Sequence, residues 1–335
     1  LHDALPILAL LPPDAWETAY QLALDLHSGA AEAAYLEANW DEMAARCAAI
    51  KRHARTALDQ IVAWQVEIDA NIGRHEYLPA LDAGLSALSL LGVELPRDPG
   101  QADVAAAFER ALAELSKMTP ESLAALPDVD DPTVAAAMRI QVRLSPGAFF
   151  GKPVLLPIIA CNLVQTSVKR GLTTATPYAL ALFGIVLNTV GMYPVAHAWG
   201  QCAVRLLERW PDRRLEAATR HVVFNLVCPW MEPLATILAP LREVWDLGRR
   251  TGDVEYASYA AHGYVHNAMY VGRPLAPLVD EALAIGAQMR ALGQVNALHV
   301  HEPFEQLLRG LTGDLPRPPR LDDGDFDEED RKSVV

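Results

Sequence analysis

His262 and His266 stand four residues apart in a run that reads as helix, a spacing that sets two imidazoles on one face where both can reach a single metal ion. His299 and His301, with Glu302 and Glu305, follow on the next expected helix and carry the chemistry to complete such a site. The motif of a zinc protease is not spelled out, because Gly263 stands where that motif places its glutamate. The same stretch holds Tyr256, Tyr259, Tyr264 and Tyr270, so the competing reading is of histidines that pack and hydrogen-bond among aromatic rings. On that second reading Tyr256, His262, Tyr264 and His266 form a partner-binding surface. Neither a metal nor another cofactor is expected.

The remaining candidates lack parts. Gly147-Ala148-Phe149-Phe150-Gly151-Lys152-Pro153 resembles a phosphate loop, but only three residues separate its glycines, and proline replaces the magnesium-binding Ser or Thr. No strand precedes it, and the expectation is an inter-helix loop from Ser145 to Pro153. No serine sits in a Gly-x-Ser-x-Gly elbow, and acid pairs such as Glu302/Glu305 read as solvated helix faces. Cys47, Cys161, Cys202 and Cys228 lie far apart in apolar surroundings, as buried free thiols of a reducing cytoplasm would. No nucleophile–base constellation is visible, so the chain is not expected to be an enzyme.

The elements that would position these residues are helices. Of the 335 residues 51% are hydrophobic and only 7% aromatic, and strand-like runs are absent. A net charge of −14 argues against a nucleic-acid partner, which needs a basic surface. Much of that charge sits between Asp322 and Asp330, and residues 312–329 are expected to form an acidic disordered tail. From Gly171 to Val204 there is no Asp, Glu, Lys or Arg, yet Asn188, Thr189, Gly191, Pro194 and His197 interrupt the apolar run. Two buried helices joined by a turn fit better than a membrane span, so no membrane insertion is expected.

Two stretches repeat. Pro233-Leu234-Ala235 opens an apolar run that stops at Gly252, and Pro274-Leu275-Ala276 opens another that stops at Gly293, the starts lying 41 residues apart. Proline suits a first helical turn and glycine the position past a helix end. Asp253 to Tyr270 reads as the helix between them. Paired helices repeating at about forty residues indicate a solenoid.

Upstream, Asp14 is placed as the cap of a helix reaching Leu36 and Asp41 at the start of the next, with a further helix over 56–72 and another apolar helical face from Ala80 to Leu91. These make N-terminal hairpins over 8–96. Residues 97–153 lose the rhythm and read as an irregular helical connector, and 154–311 as C-terminal hairpins, including a helix from Arg214 to Cys228.

An aromatic followed three residues later by a small side chain recurs as Tyr77…Ala80 and Tyr193…Ala196, with Trp40…Met43 departing from it, and Ala235 and Ala276 keep only the small residue. The pattern resembles the tetratricopeptide repeat, in which the small residue lets two helices approach, although the spacings exceed that family's regular length of about 34 residues. The fold expectation is therefore all-α, an α-solenoid of degenerate tetratricopeptide-like helical hairpins. Ala31–Leu36, Ala83–Leu85, Leu91–Pro96 and Gly252–Ala257 are similar to the helical region of large bacterial multidomain signalling proteins. In those, a serine/threonine-kinase-like domain and an AAA/NACHT-type ATPase precede the helices, and GAF and histidine-kinase modules often follow. The resemblance implies a non-catalytic, cytoplasmic scaffold for protein–protein or interdomain contact, and carries over no catalytic residue. The alternative is a small-molecule sensor with an apolar pocket in the 154–230 helices, near His197, Trp199 and Trp230.

Ala4–Ile7 and Asp330–Ser333 can be encoded by GCTCTTCCGATC and its reverse complement GATCGGAAGAGC, which resemble a sequencing adapter. Residues 1–7 and 330–335 are accordingly expected to be artefact, flanking a fragment of a longer protein.

Overall fold

A computed structural model describes residues 8, 10–210 and 212–313, so both expected artefact ends and nearly all of the expected acidic tail lie outside the described residues. The described residues form sixteen α-helices and no strand, with a single isolated bridge between Asp128 and Leu172. None of these helices is long and apolar enough to cross a membrane. The chain divides into two compact units, residues 1–179 and 180–335.

The first unit contains α1 (Ala15–Thr18), α2 (Tyr20–Leu36), α3 (Trp40–His53), α4 (Ala57–Gly73), α5 (Tyr77–Leu90), α6 (Gln101–Leu115), α7 (Pro120–Ala124), α8 (Pro132–Gly151) and α9 (Leu155–Arg170). Helices α2, α3 and α4 close on a core of Leu24, Ala31, Met43, Cys47, Ile50 and Val66. Asp14 does not cap the helix to Leu36, because the backbone leaves helical geometry at Ala19 and α2 begins afresh at Tyr20. The Tyr20 hydroxyl is anchored on the start of α4, donating to Asp59 at 2.6 Å and accepting from the Arg55 amide at 2.8 Å. Asn39 caps α3 by accepting from the Glu42 amide, and Asp41 lies in its first turn, at the expected start. At α4, Thr56 and Asp59 form a reciprocal capping box, which satisfies two of the amides that a helix start leaves open.

The expected loop from Ser145 to Pro153 is helical instead. α8 continues to Gly151 with Pro146 inside it, because its glycines are used for close packing on α5. A side chain at Gly151 would meet Tyr77 Cβ at 2.6 Å, and one at Gly147 would touch Leu81. A helix end pressed against another helix leaves no open cradle of amides for phosphate. Lys152, the nominal phosphate ligand, donates to the Arg97 carbonyl at 2.7 Å and to Asp98 at 2.8 Å.

The second unit is built from the end of α10 (Thr176–Thr189), which starts in the first, then α11 (Tyr193–Leu206), α12 (Glu216–Val222), α13 (Leu234–Thr251), α14 (Val254–Tyr270), α15 (Leu275–Ala291) and α16 (Val295–Thr312). The charge-free run folds as α10 and α11, turned at Gly191 with φ +78°. Pro233 and Pro274 take matching backbone geometry, φ −57° ψ 134° and φ −52° ψ 126°. Each sits one residue before its helix rather than within the first turn. Gly252 and Gly293 adopt the left-handed conformation that ends each run. Ala80 and Ala196 are fully buried, as the small-residue pattern requires, whereas Ala235 and Ala276 are exposed.

The helix expected from Arg214 to Cys228 is instead short. After α12 the chain makes a π turn over Val223–Val227 and a 3-10 turn over Cys228–Trp230. Pro229 has no N–H to continue the ladder, and the buried Asn188 amide donates to the carbonyls of Leu226 (3.1 Å) and Val227 (3.5 Å). Asn188→Ala should therefore destabilise the second unit by about 1 kcal/mol, measured by urea unfolding, since both carbonyls lose that donor.

Candidate functional site

The nominated histidines converge, but not as a metal centre. His262 and His266 stack along α14 with ring centroids 5.8 Å apart, and His301 of α16 meets His262 edge-on at 5.9 Å. Phe304 wedges against both α14 rings, at 5.3 and 4.6 Å. His301 Nε2 lies 2.9 Å from the Ala282 carbonyl, so that nitrogen carries the proton. His299 is exposed, and Glu302 and Glu305 both face Arg290, at 3.3 and 3.7 Å. Burial pushes the His262 imidazole down to about 3, with the neighbouring histidines adding to the shift, and burial alone holds His221 near 4. The rings pack on one another and on the edge of Phe304, and their nitrogens do not group closely enough with a third ligand atom to hold one ion among the described residues.

Of the other two nominated residues, Tyr256 is half-buried beside His221 and Tyr259, its ring 5.9 and 6.1 Å from theirs. Tyr264 is only 4% exposed, so it offers little area, and it lines a cleft. The Tyr264 hydroxyl donates to Glu281 at 2.7 Å and accepts from Arg273. Arg273 and Glu281 are themselves paired at 2.9 Å. Burial pushes the Glu281 carboxyl up, but hydrogen bonds from Tyr264 and Arg273 together hold it below the usual range. The cleft, about 170 Å³, is lined by Arg242, Trp245, Ala261, Tyr264, Glu281 and Ile285 among others. The Arg242 guanidinium lies over the Tyr264 ring at 5.1 Å and Arg249 over Trp245 at 4.9 Å.

A third constellation assembles residues that the sequence presents separately. His197 projects from α11, while Cys228 and Glu232 flank the 3-10 turn that leads to α13. Stacking of Trp230 on Tyr193, with centroids 4.9 Å apart and planes 3° from parallel, pins this turn to the start of α11. His197 Nε2 and Glu232 Oε1 lie 2.5 Å apart. Gln201, one turn beyond His197, donates to Glu232 Oε1 at 3.3 Å and towards Cys228 Sγ at 3.6 Å. Thr236 donates to the other Glu232 oxygen at 3.2 Å. One donor atom each from His197, Cys228 and Glu232 lies within 4.8 Å of the other two, the one such grouping of metal-ligating atoms among the described residues. Burial, then the Glu232 charge, pushes the Cys228 thiol up to about 12, so it is no ready nucleophile.

Sequence reading treated His197 as a pocket residue and Cys228 as a buried thiol; only the four-residue step from Cys228 to Glu232 was visible along the chain. The four cysteines are indeed free and buried. Around the expected apolar pocket, Trp199 is buried at 4% exposure while Trp230 is 57% exposed on its stack, so the two indoles do not face one enclosed space. Compared with known protein-family models, with curated proteins and with solved structures, the chain matches none.

Proposed function

We propose that the chain is a non-catalytic binding module, an α-solenoid of degenerate tetratricopeptide-like hairpins that holds a partner protein or a neighbouring domain in a cytoplasmic signalling protein. The observation that carries this reading is the cleft between α13, α14 and α15. It combines an apolar floor, Trp245 and Ile285, with a cation that makes no ion pair among the described residues, Arg242. Such a surface suits a peptide segment that places a carboxylate beside an apolar side chain. The matching proline starts and left-handed glycine ends of α13 and α15 support a repeated unit, whose stacking would present successive helices along one face. The Tyr264–Arg273–Glu281 network keeps that wall rigid, so little ordering entropy is lost when a segment docks.

The test is to titrate the chain with peptides that place a carboxylate beside an apolar side chain. Binding in the micromolar range is expected, weakened about 10-fold or more by Arg242→Glu and by Ile285→Glu with helix content retained. Absence of binding by any such peptide, or binding indifferent to both substitutions, would overturn the assignment of this cleft.

A further inference from the structure

The His197–Cys228–Glu232 constellation plays no part in the cleft, and it carries its own inference. Its three donors are an imidazole nitrogen, a sulfur and a carboxylate oxygen, a set that suits zinc and its transition-metal neighbours and not calcium or magnesium. We propose that these residues bind one divalent zinc-class ion, which clamps α11 to the turn preceding α13 and leaves a fourth coordination position open.

Geometry supports this in several ways. Tetrahedral zinc with bonds of about 2.0–2.3 Å sets its donor atoms roughly 3.3–3.8 Å apart. The three donors here already lie within 4.8 Å of one another, so small side-chain rotations bring them onto one ion. His197 and Glu232 retain 28% exposure each, which gives an ion a way in, while Cys228 at the back is fully buried. The supporting contacts are also in place. Gln201 reaches both the sulfur and one carboxylate oxygen, and Thr236 holds the other oxygen, as partners that orient ligands do. The π turn over Val223–Val227 shifts the helical register just before Cys228, and such insertions commonly re-aim a residue at a site.

The competing account is a closed hydrogen-bond set in which the carboxylate satisfies an imidazole and a neutral thiol. Metal entry would replace the contact between His197 Nε2 and Glu232 with two bonds to the ion. The Cys228 proton would pass to solvent, and the thiolate and carboxylate charges would balance the divalent cation. The two accounts differ in a sulfur–metal bond, which is directly observable.

The experiment uses the full 335-residue chain, stripped with chelator and titrated with Co2+ and then Zn2+. One Co2+ per chain is expected, with a near-ultraviolet thiolate-to-cobalt charge-transfer band that Zn2+ displaces. Cys228→Ser should abolish the band, and His197→Ala should weaken binding about 100-fold or more. His197 is partly exposed, so its truncation tests the site even if the buried Cys228 variant misfolds, with circular dichroism as the check. A His262→Ala/His266→Ala variant should bind unchanged. No stoichiometric ion, a cobalt complex without the sulfur band, or binding lost in the His262/His266 variant but kept in His197→Ala would each overturn the proposal.

Discussion

Replacing His221 and His262 together by leucine should remove about 4 kcal/mol of acid sensitivity from the second unit between pH 7 and pH 5. Both imidazoles are held neutral by burial, His262 down to about 3 and His221 to about 4, against about 6.5 in an unfolded chain. Above pH 6.5 both states are neutral and the histidines contribute no pH dependence. Below it the unfolded chain takes up protons that the native core refuses, so stability falls as pH drops through the window from 6.5 towards the native values. Each histidine then costs about 1.4 kcal/mol per pH unit, or about 2 kcal/mol at pH 5.

Asp253 works in the opposite sense. Burial raises its carboxyl to about 6, so the native state takes up a proton before the unfolded chain does and recovers about 1 kcal/mol over the same interval. Glu255, also raised by burial and by Asp253, acts the same way. His266 and His301 are lowered by burial as well, so the parent should lose stability on acidification and the leucine variant should lose less. Urea unfolding followed by pulsed hydrogen exchange of peptides spanning 216–270 reads this unit within the full chain. Equal acid sensitivity in parent and variant would mean that these rings are solvated and charged, and that the aromatic packing around His262 is wrong.

How much of this could be read along the chain depends on the range of the forces involved. Pro233, Gly252, Pro274 and Gly293 act on their own backbone, and the ends they mark are those observed to within one residue. Thr56 with Asp59 is likewise a local device and places the start of α4 correctly. The same punctuation misled at 145–151, where Pro146, Gly147 and Gly151 suggest a loop but packing on α5 outweighs propensity. The π turn was invisible because part of what sustains it, the Asn188 amide, arrives from α10. For the candidate sites the pattern is the same. The stacking of His262 on His266 follows from helical spacing alone, whereas His197 reaches Glu232 only through tertiary contact. Tyr264 was nominated as a surface residue, yet it is only 4% exposed, because its ring is spent on the core.

Gly248→Val should destabilise the second unit by about 3 kcal/mol or more, and Gly248→Ala by about 2 kcal/mol. Alanine would ordinarily stabilise a helix interior relative to glycine by about 1 kcal/mol, so a loss requires a specific collision. The collision is with backbone: a Cβ at Gly248 of α13 would lie 2.5 Å from the Asp253 carbonyl oxygen and 2.7 Å from Ala257 Cβ. Neither can swing aside, since Ala257 is fully buried and Asp253 caps α14 by accepting from the Tyr256 amide. Moving them would pry α14 from α13 and from the core shared by Trp245, Ala261 and Met289.

Gly286 supplies the comparison. Its Cβ would come within 2.6 Å of Glu305 Oε2, the far end of a buried side chain and not backbone, so Gly286→Ala should cost less than Gly248→Ala. If Gly248→Ala proves neutral while Gly286→Ala is costly, the tight approach lies between α15 and α16 and not between α13 and α14. The small residue that the repeat pattern sought at Ala235 is in fact supplied near the end of the same helix, at Gly248, where a Cβ would meet Asp253 and Ala257. A glycine there does for this hairpin what alanine does at Ala80 and Ala196: it lets a second helix close without a gap.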